Sequence, residues 1–179
     1  KSLKLSVGFV PTMGALHQGH ISLIEQAISE NDKVVCSIFV NPTQFNDPKD
    51  LENYPNQIEN DLVILKKAGC DLVFNPKVTE MYPQGNEVLK FELNGLDALM
   101  EGAHRAGHFD GVCTIVSKLF KLIQPKNAYF GQKDFQQLAI IRQLNKNQKF
   151  NINIVGCPII RQKNGLAMSS RNALLNAEE

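Results

Sequence analysis

The chain has 179 residues, a formal net charge of +1, and 43% hydrophobic against 21% charged residues, the balance of a soluble globular protein with one sizeable core. The lack of a basic excess to neutralise phosphates argues against a nucleic-acid binder working through bulk electrostatics and leaves only a local basic patch open. No apolar run approaches the roughly 18 residues of a membrane-spanning helix.

Strands and helices alternate along the chain. "LSVGFV" predicts a buried strand, and Ile21, Ile24 and Ile28 set a helix over about His20 to Glu30. "KVVCSIFV" is a second strand, largely apolar and rich in β-branched residues as a strand covered on both faces should be. A turn-rich loop from Asn41 to Asn56 leads to a helix with Ile58, Leu62 and Leu65 on one face and Gly69 as its stop. "CDLVFNP" is the third strand, and "EVLKFEL" alternates like an edge strand. "GAHRAGHFDG" is punctuated like a loop, and "VCTIVSKLFKLIQ" follows as a helix ended by Pro125. "NAYFG", "DFQQLAIIRQLNKN" and "FNINIVGCPII" close the series as strand, helix and strand. Repeated units of this kind imply one α/β domain, a doubly wound parallel sheet with helices on both faces. Cys36, Cys70, Cys113 and Cys157 form no C-x-x-C pair, so reduced thiols and a cytoplasmic setting are expected.

In such a sheet ligands bind at the carboxyl ends of the strands, where the strand order reverses. Four clusters follow strands directly. "PTMGALHQGH" opens the first helix, whose N-terminal amides suit a phosphate and whose protonated imidazoles would offset developing charge. Packing and metal binding stay open for these histidines, although their spacing of three and the intervening Gln18 and Gly19 do not match a zincin. "NPTQF" offers Gln44 to a small polar substrate, or is a plain loop. "GQKDFQQL" brings Gly131, Lys133, a candidate N-cap at Asp134, and Gln136 and Gln137 in the first turn. "LAMSSRN" joins two hydroxyls to an arginine, a clamp for a polyphosphate or a solvated turn.

An H-x-G-H at the first strand–helix corner with a late Met-Ser-Ser-Arg resembles the "HIGH" and "KMSKS" signatures of the class I aminoacyl-tRNA synthetase and nucleotidylyltransferase superfamily. That pair implies ATP over a Rossmann-like sheet, attacked at the α-phosphate. The finer resemblance is to the pantothenate synthetase (pantoate–β-alanine ligase) family. It runs through "PTMGALHQGH", "FVNPTQF", "EGAHRAGHFDGV", "YFGQKDFQQL" and "GLAMSSRN", with Ala106 where the family more often has proline.

The resemblance implies an ATP-dependent ligase that condenses pantoate with β-alanine through pantoyl adenylate. It implies ATP contacts at Met13, Gly14, Ala15, Leu16, His17, Gln18, Gly19, His20, Gly131, Gln132, Lys133, Asp134, Ile160, Met168, Ser169, Ser170 and Arg171. Among these His20, as proton donor, with His17, Lys133 and Arg171 would carry the chemistry. Gln44 and Gln137 would hold pantoate, Gln44 also bordering β-alanine, and Asp61 would contact the magnesium accompanying ATP. A homodimer is implied as well. Family members continue into a small domain that closes over the nucleotide. The chain is therefore expected to be part of a longer protein, 1–179 being the ATP- and pantoate-binding domain, slow in turnover without its lid.

The rivals are another nucleotidylyltransferase, a non-catalytic nucleotide-binding module, and a metal hydrolase built on His17, His20, His104 and His108. The first would need a second phosphate patch in place of the neutral Gln44 and Gln137. The second would have no use for the full set of His20, Lys133 and Arg171.

Overall fold

Five apolar runs become the strands of one parallel sheet. In the computed structural model, which describes residues 5–175, these are β1 (Val7–Thr12), β2 (Lys33–Ile38), β3 (Leu72–Phe74), β4 (Asn127–Gly131) and β5 (Asn153–Cys157). Their order is β3-β2-β1-β4-β5, every neighbouring pair parallel. The order reverses between β1 and β4. The Rossmann-like expectation therefore holds, with strands two to three residues shorter at several ends because their pairing partners run out.

Seven helices are described: α1 (Gln18–Glu30), α2 (Pro48–Glu52), α3 (Ile58–Ala68), α4 (Val78–Met81), α5 (Met100–His104), α6 (His108–Ile123) and α7 (Phe135–Gln148). Alternation along β1 feeds two cores. Phe9 joins the apolar faces of α6 and α7 with Phe120, Phe130, Ile140 and Ile141. Val10 points the other way, to Ile24 of α1 and Leu65 of α3. Gly69 ends α3 at φ +83°, the left-handed turn a glycine provides without a Cβ penalty. All four cysteines are free. Among the described residues no helix is long and apolar enough to cross a membrane.

Three expectations change. "EVLKFEL" pairs with no strand and lies against α6 instead: the Leu89 amide donates to Thr114 Oγ1 (3.0 Å) and Lys90 Nζ to Asp110 (2.5 Å). The burial stripes are rotated. Ile28 and Leu62 are exposed, while Leu23, Ala27 and Asp61 turn inward. The glycine-punctuated loop is largely helical, since α5 and the first turn of α6 fall inside it.

Gly111 explains the last change. A Cβ there would lie 2.2 Å from the Thr43 carbonyl oxygen, so the glycine lets α6 pack on the backbone of the 3₁₀ turn Pro42–Gln44 rather than breaking the helix. Gly111→Ala is expected to destabilise the protein by about 1–3 kcal/mol, as overpacking against rigid backbone does. Urea titration at constant m-value would show it; an unchanged midpoint would mean that the turn moves aside freely.

Candidate active site

The carboxyl ends of the strands surround an open cavity of about 230 Å³ at the β1/β4 reversal. Its lining includes Met13, His17, Gly19 and His20 after β1, Asn41 and Gln44 after β2, Gly131, Lys133 and Asp134 after β4, Gln137 on α7, and Ile160 and Met168 to Arg171 after β5. All four clusters that follow strands in the sequence thus reach one space.

The loop between β1 and α1 is bound from three sides. Asp61, 1% exposed, accepts the Ala15 amide at Oδ2 (2.9 Å) and the Leu16 amide at Oδ1 (2.8 Å). Gly14 at φ +85° and Ala15 at φ +50° need such a hold, because the left-handed region is costly for alanine. Ser170 Oγ donates to the Ala15 carbonyl (3.0 Å), joining the late Met-Ser-Ser-Arg stretch to the first corner. Thr12 Oγ1 donates to the Ser37 carbonyl (2.7 Å) and accepts the Gly14 amide (3.2 Å).

Some expected residues stand elsewhere. Gly14, Ala15 and Leu16 are buried beneath the cavity, Gln18 is exposed outside it, and Gln132 binds the Gly156 carbonyl (3.3 Å). Asp61 is absent from the lining, and each of its oxygens accepts a loop amide, so in this structure it anchors the loop.

The helix N-terminus also differs from expectation. The imidazoles consume its amides: His17 Nδ1 accepts the Gly19 N–H (3.1 Å), and His20 Nδ1 accepts the His17 N–H (3.3 Å). Each ring then carries its own proton on Nε2. The two rings lie 4.1 Å apart between centroids, and a Cβ on Gly19 would sit 2.8 Å from His17 Cε1, so only glycine admits that ring. Burial first, then the neighbouring His17 and Lys133, holds His20 down at about 3. Burial and Lys133 also lower His17, against a smaller opposing pull from Asp134. Both shifts favour the neutral ring, which with Nδ1 accepting an amide is an Nε2–H donor. The permanent positive charge at the cavity is the Arg171 guanidinium, with Lys133 beside the two rings.

A pH dependence follows. Between the unfolded value near 6.5 and the folded value of about 3, the unfolded chain binds the proton that folded His20 refuses. Stability is complete above about pH 6.5 and declines on acidification, by about 1–2 kcal/mol at pH 5. The melting temperature should fall from pH 7 to 5, with a shallower slope in His20→Gln. A midpoint that rises on acidification would contradict these ring environments.

Further residues line or support the site. Asn41, 1% exposed, donates to Gln44 Oε1 (3.1 Å) and accepts from the Tyr82 hydroxyl (2.6 Å). Gln44 Nε2 in turn meets Met13 Sδ at 3.1 Å. His108 Nδ1 lies 2.7 Å from the Gln44 carbonyl, which Arg105 also reaches (3.3 Å). Gln136, buried, ties the Leu96 and Leu99 carbonyls and leaves the cavity to Gln137. Val112, Ile115, Val116 and Leu119 of α6 supply an apolar wall. In the sequence "NP" reads as a turn and α6 as plain core, which conceals both contributions.

Known proteins share this fold. The chain is 58% identical to the pantothenate synthetase of Cytophaga hutchinsonii and 56% identical to that of Bacteroides fragilis, over 97% of its own length and 61% of theirs. It therefore spans about three fifths of the curated relatives it matches. The pantothenate synthetase structure from Thermus thermophilus superposes with a TM-score of 0.93 at 50% identity, covering 97% of this chain and 63% of that one. A pantoate-β-alanine ligase from Francisella tularensis, complexed with β,γ-ATP and β-alanine, superposes at 0.94 with 49% identity, covering 98% and 68%. With a pantoate-β-alanine ligase family model matching residues 1–179, the chain belongs to that family.

Proposed function

We propose that residues 1–179 form the ATP- and pantoate-binding part of an enzyme that condenses pantoate with β-alanine, releasing AMP and pyrophosphate. The carrying observation is that one cavity combines two kinds of lining. Lys133, Arg171 and the His17 and His20 Nε2–H groups suit a polyphosphate, while the apolar α6 wall between Gln44 and Gln137 suits a branched hydroxy acid. The ATP and β-alanine bound by the Francisella relative support the same substrates. A nucleotidylyltransferase acting on a second phosphate finds only neutral amides at Gln44 and Gln137.

In the first step a pantoate carboxylate oxygen bonds to the α-phosphorus of ATP, and the bond to the bridging oxygen breaks, releasing pyrophosphate. Two anions must meet, so Lys133 and Arg171 lower the repulsion and His20 donates from Nε2 to oxygen that gains charge. Gln44 and Gln137 hold the acid in line, and such positioning is worth on the order of 7–11 kcal/mol. In the second step the β-alanine amine attacks the acyl carbon, loses a proton, and AMP departs with the bonding electrons.

Magnesium belongs to this reading as an ion carried by the nucleotide. Among the described residues no three His, Cys, Asp or Glu side chains converge to hold a metal, and Asp134 is the one carboxylate lining the cavity. The chain offers no cage of its own, and no step above runs through the ion. The reading includes a lid supplied by the length the relatives have in addition, a cytoplasmic setting consistent with the free thiols, and a homodimer that light scattering would test.

Pyrophosphate–ATP exchange with and without pantoate tests the assignment. Exchange that requires pantoate, followed by β-alanine-dependent AMP release, is expected. Pantoate-independent exchange, or none with pantoate present, would reject it.

A further inference from the structure

Arg171 stands between two spaces: it lines the main cavity and also a polar hollow behind it bounded by Asn46, Asp47, Asp50, Glu101 and Arg105. Its head is held on that rear side. Nε and Nη2 both reach Asp50 Oδ1 at 3.2 Å, and Nη2 reaches Oδ2 at 2.9 Å. The Tyr54 ring supports the guanidinium face, 5.4 Å from centroid to Cζ, and is itself packed edge-on against Phe45. The backbone is held too. Ser169 Oγ accepts the Arg171 amide (3.3 Å), and Ser170 is tied to Ala15. Among the described residues no protein group bonds Nη1.

We propose that Asp50 is a positioning residue for the nucleotide: by occupying the Nε–Nη2 edge it orients Arg171 so that Nη1 is presented to a phosphate oxygen. This rests on the ATP-binding reading above. The two-pronged ion pair freezes a long side chain before ligand arrives, so less rotamer freedom is lost on binding. Both partners are partly solvated, with side-chain exposures of 45% for Arg171 and 35% for Asp50. A pair in that setting adds little to folding stability. Its effect is therefore expected in affinity rather than in melting temperature, which separates positioning from a structural role.

The test is ATP affinity by titration calorimetry on the whole protein. Asp50→Asn should weaken ATP binding about tenfold, the size of one charge-assisted hydrogen bond misdirected. Its melting temperature should stay within about 1 °C of the parent. Asp50→Glu, which keeps the carboxylate, should recover most of the affinity. Arg171→Lys keeps the charge but lacks the fork and should lose a similar factor. Adding Asp50→Asn to Arg171→Lys should then cost no more than about twofold. Unchanged or tighter binding in Asp50→Asn, or a full second tenfold loss on the Arg171→Lys background, would overturn the proposal. A parent that binds ATP but shows no pantoate-dependent exchange would fail the functional reading, while the same set of affinities still decides the role of Asp50.

Discussion

His20→Ala is expected to slow pantoate-dependent pyrophosphate–ATP exchange by about 10²–10³-fold, the effect of deleting one preorganised donor from a site where charge develops. Pantoate affinity should change far less, because Gln44, Gln137 and the α6 wall remain. The substitution removes the Nε2–H facing the cavity and the Nδ1 that accepts the His17 amide at 3.3 Å. Being at the open end of the helix, that amide can turn to water, so folding should survive. His20→Gln, whose side-chain amide can donate, should restore part of the rate. Equal losses of rate and pantoate affinity would instead make His20 a structural cap.

The largest stability effect is expected at Asp61. Asp61→Ala leaves the Ala15 and Leu16 amides, now accepted at 2.9 and 2.8 Å, buried without an acceptor. Each such orphan costs about 1–3 kcal/mol. With Gly14 and Ala15 both at positive φ, the loop has no relaxed alternative that keeps its shape. A loss of about 3 kcal/mol, or roughly 6–12 °C in melting temperature, is expected. Asp61→Asn should recover little, since its NH₂ must face one of the two amides. The loss should be equal with and without magnesium. A loss seen only with magnesium would return Asp61 to the cation-binding role that the family resemblance implied.

Element types and the location of the cavity were legible in the sequence because both follow from local pattern. β-Branched apolar runs make covered strands, 3.6-residue spacing makes helices, and in a parallel sheet whatever follows a strand lies on one edge of the sheet. His17, His20, Gln44, Lys133, Gln137 and Arg171 were found on that ground, and they line one cavity. Where local rules failed, a distant neighbour had intervened. Gly111 looked like a breaker, but its missing Cβ makes room for the Thr43 carbonyl. "EVLKFEL" looked like a strand, but it lies against α6 instead.

The sequence by itself thus determined the doubly wound architecture, the family and most of the polar groups around the cavity. Tertiary structure alone decided what those groups do. It made Asp61 the anchor of a loop 46 residues away, and it bound Arg171 to Asp50 across 121 residues. It also lowered the pKa of both histidines, by partial burial and the nearby Lys133. Protonation, hydrogen-bond partners and close packing depend on what chain folding brings within a few ångströms, and no local pattern carries that information.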